Sequence, residues 1–242
     1  MHYSRRKSLI IFGSIAFLIL VALGVYRFNA MKQESKASFL TGSSANAVTV
    51  RAMLDQLQVA TEHTSDYSED FGGRGWQQRD NCSTKDLVLQ SEAIGTYATA
   101  PDSCRPVTGK WYSPYDGKSW TNSSALQIDH LVPKEEAWQS GAYAWTDAQR
   151  KAFKNDLGYG PSLIAVTSHE NQSKQSQEPG NESEQYLPPI AAYQCEYVAE
   201  WIAVKYRWSL SVDSQEKKNL LTLLDSCGES VKISIPSKVE FE

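Results

Sequence analysis

Two short apolar segments, each running into a polar, chemistry-bearing stretch, constrain this chain more than anything else in it. The first is Ala125-Leu126-Gln127-Ile128, continued beyond Asp129-His130 by Leu131-Val132 and closed by Pro133. Its apolar content suits a strand through Asp129. Pro133 has no N–H to give a ladder, so it ends the strand or forces a turn. The second segment, Leu163-Ile164-Ala165-Val166-Thr167, is richer in branched residues and predicts a second strand. Ser168-His169-Glu170-Asn171 follows, mostly turn or cap residues, and a polar run to Gln177 then suits a helix starting near Asn171. Asn171 and Lys174 are three apart and share a face of that helix. In a strand Asp129 and His130 point to opposite faces, so both serve one site only if the backbone bends there. Given that bend, two strands and a helix bring Asp129, His130, Asn171 and Lys174 to one point.

These residue types fit metal-assisted phosphodiester cleavage, which needs oxygen ligands for a hard cation and a base to activate water. Each has an ordinary explanation when taken singly. An Asp-His pair is commonly an ion pair or a tautomer-fixing hydrogen bond, an Asn at a helix start is commonly an N-cap, and Lys174 stands four residues from Glu170 as a surface salt-bridge partner would. The combination is more specific than any member.

The stretch from Cys82 to Cys227 resembles the secreted and membrane-anchored HNH endonuclease-like proteins of Gram-positive bacteria, actinobacteria above all. The likeness covers about 145 of 242 residues. It is carried in order by Cys82-Ser83-Thr84-Lys85, by Gly109-Lys110-Trp111 with Pro114-Tyr115-Asp116-Gly117-Lys118, and by Asp129-His130-Leu131-Val132-Pro133 with Glu136-Ala137-Trp138. Asn171-Gln172-Ser173-Lys174 and Leu187-Pro188-Pro189 close the series. The resemblance implies an α+β fold, a ββα metal finger embedded in a mainly helical domain. It implies one divalent cation, Mg²⁺ or Mn²⁺, held by Asp129 and Asn171, with His130 as general base. Lys174 would contact phosphate or partner the carboxylates, and Pro133 and Glu136 fall at positions of structural weight. The sequence departs from the pattern at Ser162, where such proteins carry the Asn that pins the histidine loop. A Ser hydroxyl can donate in its place, or Asn155 or Asp156 can hold the loop. His169 flanks Asn171 and is by default an exposed turn histidine.

Arg5-Arg6-Lys7 precedes an uncharged, largely apolar run of 19 residues, Ser8 to Tyr26. That length is close to the ~20 residues needed to span a bilayer, and the flanking charge predicts an exported C-terminal domain. Residues 1–28 therefore read as a signal-anchor or transmembrane helix, with a cleaved signal peptide and a secreted product as the alternative. Residues 29–47 read as a polar linker, and 48–242 as one extracytoplasmic domain with its core motifs in 82–227. The four cysteines lack C-x-x-C spacing, which argues against zinc. Of the possible disulfides, Cys82–Cys104 and Cys195–Cys227 are favoured, because each closes a local loop. Helices are expected from Val48 to Thr61, after a Thr146–Gln149 capping box, across 191–207, and from an Asp213/Glu216 cap to Cys227, where Gly228 stops the last one.

Beyond residue 36 the chain carries 18 basic against 27 acidic residues, a net charge of −9. A protein gripping long DNA normally presents a basic face. Lys110, Lys118, Lys134, Arg150, Lys151, Lys154 and Lys174 flank the motif in sequence, which suits weak, low-specificity turnover of DNA or RNA. The seven Trp and twelve Tyr read most simply as core and surface-packing residues, and a few, such as Trp76, Trp111 or Tyr115, could stack on bases. Two other readings remain open at this point: an inactive envelope-anchored binding or scaffold protein with the same fold, and a metal-dependent phosphodiesterase acting on a different polymer. No protein partner is implied.

Overall fold

The computed structural model describes residues 49–180, 182–183, 185–227, 231 and 233–240. The expected anchor and linker, and the Gly228 stop, lie outside the described residues. Among the described residues no helix is long and apolar enough to cross a membrane.

The domain opens with α1 (Val50–Gln56), started by the Thr49 side chain accepting from the Ala52 N–H. The helix is shorter than its apolar spacing suggested: after Leu57 the backbone turns extended and pairs Val59 with Val212. A glycine-rich loop then leads to the two-residue pair β1 (Gln78–Arg79) and β2 (Cys82–Ser83). α2 (Thr84–Ser91) begins on a Ser83/Asp86 capping box. β3 (Ala98–Thr99), β4 (Pro106–Tyr112) and β5 (Ser119–Asn122) form an antiparallel sheet.

β6 (Leu126–His130) is followed by α3 (Lys134–Gln139), with Pro133 at its N-cap, and by α4 (Asp147–Lys154), which starts on the expected Thr146/Gln149 capping box. β7 (Leu163–Thr167) pairs antiparallel with β6 in the register Asp129↔Ile164 and His130↔Leu163. α5 (Ser168–Lys174) leaves β7 directly. The short parallel pair β8 (Glu178–Pro179) and β9 (Gln185–Tyr186) leads to the long α6 (Ala191–Trp208) and to α7 (Ser214–Cys227).

The β6–β7 ribbon sits between two apolar clusters. Ile164 and Val166 pack into the larger one, with Tyr197, Val198, Trp201 and Ile202 of α6, while Leu163 and Ala165 join Val88, Leu89, Trp111, Leu126 and Ile128 in the smaller. Alternate side chains of β7 thus enter opposite cores, which is why that segment is apolar throughout instead of alternating with polar residues. The architecture is mixed α/β. The surround expected to be mainly helical includes two two-residue pairs and a three-stranded sheet besides the ribbon, the sheet built where Gly, Pro and Asn punctuate 95–122 too densely for helices. Both favoured disulfides are present, Cys82–Cys104 and Cys195–Cys227, the second joining α6 to α7.

Candidate functional site

The site is a ladder between β6 and α5. Gln127 and Asp129 are two apart on the strand and share a face. Asn171 and Lys174 share a face of the helix. The two rows match: Asn171 Nδ2 donates to Gln127 Oε1 at 2.7 Å, and Lys174 Nζ donates to Asp129 Oδ1 at 3.0 Å. Lys174 also donates to the His130 carbonyl at 2.9 Å. This helix starts three residues earlier than the sequence suggested, because the Thr167 side chain caps it by accepting from the Glu170 N–H. Asn171 is consequently a mid-helix residue facing the strand and not a cap.

Asp129 is 5% exposed and has both oxygens engaged, since the Tyr115 hydroxyl donates to Oδ2 at 2.7 Å. Burial pushes the Asp129 carboxyl up and the Lys174 amine down, and the contact between them opposes both shifts. The pair is internally neutral, so Asp129 borders the pocket without a full uncompensated charge.

His130 points the other way from Asp129, as strand alternation requires. Its ring stacks on Trp76 with centroids 5.2 Å apart and lies parallel to Phe153 at 6.3 Å. Its Nε2 is 2.9 Å from the Lys154 carbonyl. A carbonyl only accepts, so Nε2 carries the hydrogen and Nδ1 keeps a free lone pair. Burial is the main cause that lowers the imidazole to about 3, with Lys134, Lys174 and Lys154 adding to it and the Lys154 carbonyl opposing.

Asp129 and His130 nevertheless border one pocket of about 400 Å³, because it lies at the end of β6 just before the chain turns at Pro133. Asn171, Lys134 and Lys154 line the same pocket. Ser162 does not touch His130 with its side chain. Its hydroxyl donates to Asp156 Oδ2 at 2.8 Å, while its carbonyl accepts from the Leu131 N–H at 3.2 Å. Asp156 also takes Arg207 and the Trp208 indole N–H. The ring-orienting contact comes instead from the Lys154 carbonyl, a backbone atom that leaves no mark in the sequence. Asn155 beside it accepts from the Gln77 N–H at 2.9 Å and from the Thr84 hydroxyl at 2.8 Å, fixing the Trp76 loop to α4.

Other expected residues are placed elsewhere. Glu136, 1% exposed, accepts from Lys205 and Ser140 in the interior. The His169 side chain is 77% exposed on α5, beside Glu170. Trp111 and Tyr115 are fully buried and unable to meet a base, whereas Trp76 borders the pocket. Sequence reasoning did not single out Gln127 or assign Tyr115 its contact with Asp129. Gln127 could have been found from its place two residues before Asp129 on the same strand face.

The donors suit a hard cation of limited protein ligation. Asp129 keeps a second lone pair on each oxygen, and Asn171 presents an amide oxygen whose companion nitrogen is occupied by Gln127. Such a set matches Mg²⁺-type ions, which hold waters and substrate phosphate beside one or two protein oxygens. Among the described residues, the carboxylate triplets Glu62–Glu178–Asp213 and Glu136–Glu178–Glu216 belong to the surroundings of Lys205 and not to this pocket.

The sequence comparisons place this domain in a nuclease family. Residues 84–223 match the family described as GmrSD restriction endonucleases, C-terminal domain. The chain belongs to that family. It is also 41% identical over 183 residues to an "Uncharacterized secreted protein" of Arthroderma benhamiae, an alignment that covers 75% of this chain and 86% of the relative. No solved structure matches.

Proposed function

We propose that this domain is a metal-dependent nuclease of low sequence specificity acting outside the cytoplasm, with β6, β7 and α5 as a ββα finger of the HNH type. The observation that carries the reading is the convergence of Asp129, His130 and Asn171 on one pocket flanked by Lys134 and Lys154. Asp129 and Asn171 would hold a divalent cation such as Mg²⁺ or Mn²⁺, which when bound supplies neutralisation of charge on the phosphodiester. His130 takes a proton from water at Nδ1, its ring oriented by the Lys154 carbonyl. An anionic phosphodiester beside the ring raises its basicity, the opposite sign to the three lysines that now lower it. Lys174 holds Asp129 in place and is a positioning residue. Lys134 and Lys154 offer the phosphate its counter-charge. Export is supported by the two disulfides and by the secreted relative, with residues 1–28 as the export signal.

Digestion of plasmid DNA and of RNA by the full chain, disulfides intact, tests this with Mg²⁺, Mn²⁺ or EDTA and with His130→Ala alongside. The expected result is metal-dependent cutting that His130→Ala lowers by at least ~100-fold. The internal neutrality of Asp129 and the net charge of −9 favour the second reading, a binding protein that keeps the fold without the activity. Absence of cutting by a folded wild type with either metal would select it.

A further inference from the structure

A second, larger cavity lies beside the pocket just described. It measures about 830 Å³, and it shares Gly75 and Trp76 with the site pocket, so the Trp76 indole is a wall common to both. One side is the Gly72–Trp76 loop and the other is the start of α4 with Arg150 and Lys151. The loop is fastened at both ends. A Cβ on Gly72 would come within 2.8 Å of the Arg150 backbone at a φ of +67°, so only glycine permits this approach. The Lys154 ammonium donates to the Gly73 carbonyl, and the Gln77 N–H donates to Asn155. Between those ends Arg74 projects outward, its side chain 90% exposed, and its contact with Asp70 is an open surface pair of little worth.

We propose that this cleft binds an unpaired stretch of nucleic acid and leads it to the catalytic pocket, with Arg74 and Lys151 contacting phosphates and Trp76 stacking on a base at the junction. The inference rests on the nuclease reading of the adjoining pocket. Two observations favour a single strand over a duplex. The wall at the junction is an aromatic face, and bases offer their own faces only where they are unpaired. The exposed cations along the cleft are few in a domain of net charge −9, too sparse to track both backbones of a duplex. Arg150 is already committed to the Trp145 carbonyl and to Asp147 and is not counted among them.

The test is fluorescence anisotropy of a short labelled single strand and of its duplex, in EDTA so that binding is read without turnover. Wild type, Arg74→Ala/Lys151→Ala and Trp76→Leu are compared. Single strand is expected to bind at least ~5-fold more tightly than duplex. Trp76→Leu should weaken it by at least ~5-fold, the lower end of what loss of one base stack costs. The Arg74→Ala/Lys151→Ala variant changes only exposed residues and so keeps the fold. It should weaken binding and reduce the salt slope by about 1.4, the share of two phosphate contacts. Equal or tighter duplex binding, an unchanged double variant, or no binding by wild type overturns the proposal. Cleavage is scored separately with metal. Cutting with unchanged variants would leave the nuclease reading and remove the cleft, and variant-sensitive binding without cutting would do the reverse.

Discussion

Lys205→Met isolates the interior network that claims Glu136, a residue of the sequence motif that never reaches the site. Lys205 is fully buried and donates to Glu136 at 2.6 Å, to Ser140 at 2.9 Å, to the Ser211 carbonyl at 3.1 Å and to Glu216. Glu136 and Glu216 are each 1% exposed. Methionine keeps the length and removes the charge, leaving two buried carboxylates facing each other. The cheapest relief is proton uptake, which at pH 7 costs a carboxyl of ordinary acidity about 3.5 kcal/mol. Glu216 is already pushed up to about 7, chiefly by burial. Lost bonds to Ser140 and Ser211 add about 1 kcal/mol each, for a total of about 4–6 kcal/mol. That is most of a typical domain's stability. Urea unfolding reads it directly, and at pH 5 the proton-uptake cost falls, shrinking the penalty by about 2–3 kcal/mol. Lys205→Met/Glu136→Gln/Glu216→Gln should recover most of the loss. A penalty below ~2 kcal/mol, or one identical at pH 5 and 7, would refute the reasoning.

Glu92 accepts from the Ala165 N–H on the outer edge of β7, and burial raises its carboxyl to about 7 from 4.5. The native state therefore holds a proton between those values that the unfolded state has released, so stability falls as pH rises from about 4.5 to about 7. Glu92→Gln keeps an acceptor and should remove roughly 1–3 kcal/mol of that decline in a denaturant midpoint series from pH 5 to 8; parallel curves would count against it. Replacing Cys195 and Cys227 together by Ala opens a 32-residue separation, and the chain-entropy estimate is a loss of about 3.7 kcal/mol, read as a lowered melting temperature. A loss below ~1 kcal/mol would mean that the α6–α7 contact holds without the staple.

What the sequence disclosed and what it hid differ in physical kind. Strand β7 was legible because a run of branched apolar residues needs two cores to enter, and it has them. The placement of Asn171 with Lys174 was legible from helical spacing even though the helix start was misplaced. That error arose because Thr167, assigned to the strand, also serves as the cap. The mixed surround was less visible, since its two-residue strands are set by pairing across turns and carry little propensity of their own. The pinning of His130 was not visible at all. Attention to Ser162 looked for a side chain, and the bond comes from the Lys154 main chain.

Net charge pointed away from a polyanion substrate, and the structure shows why the sum misleads. Asp129, the carboxylate nearest His130 in sequence, is cancelled at 3.0 Å by Lys174. Glu136 and Glu216 are drawn inward onto Lys205, and Glu62, Glu178 and Asp213 gather near them. The cations of the pocket come from helix ends instead: Lys134 is the first residue of α3 and Lys154 the last of α4. Lys134 also faces the exposed Glu69 at 3.6 Å and Lys154 is buried with its ammonium on the Gly73 carbonyl, so their pull on a phosphate is short-ranged, within about 8 Å at physiological salt. A domain can thus be acidic in sum and locally attractive to phosphate.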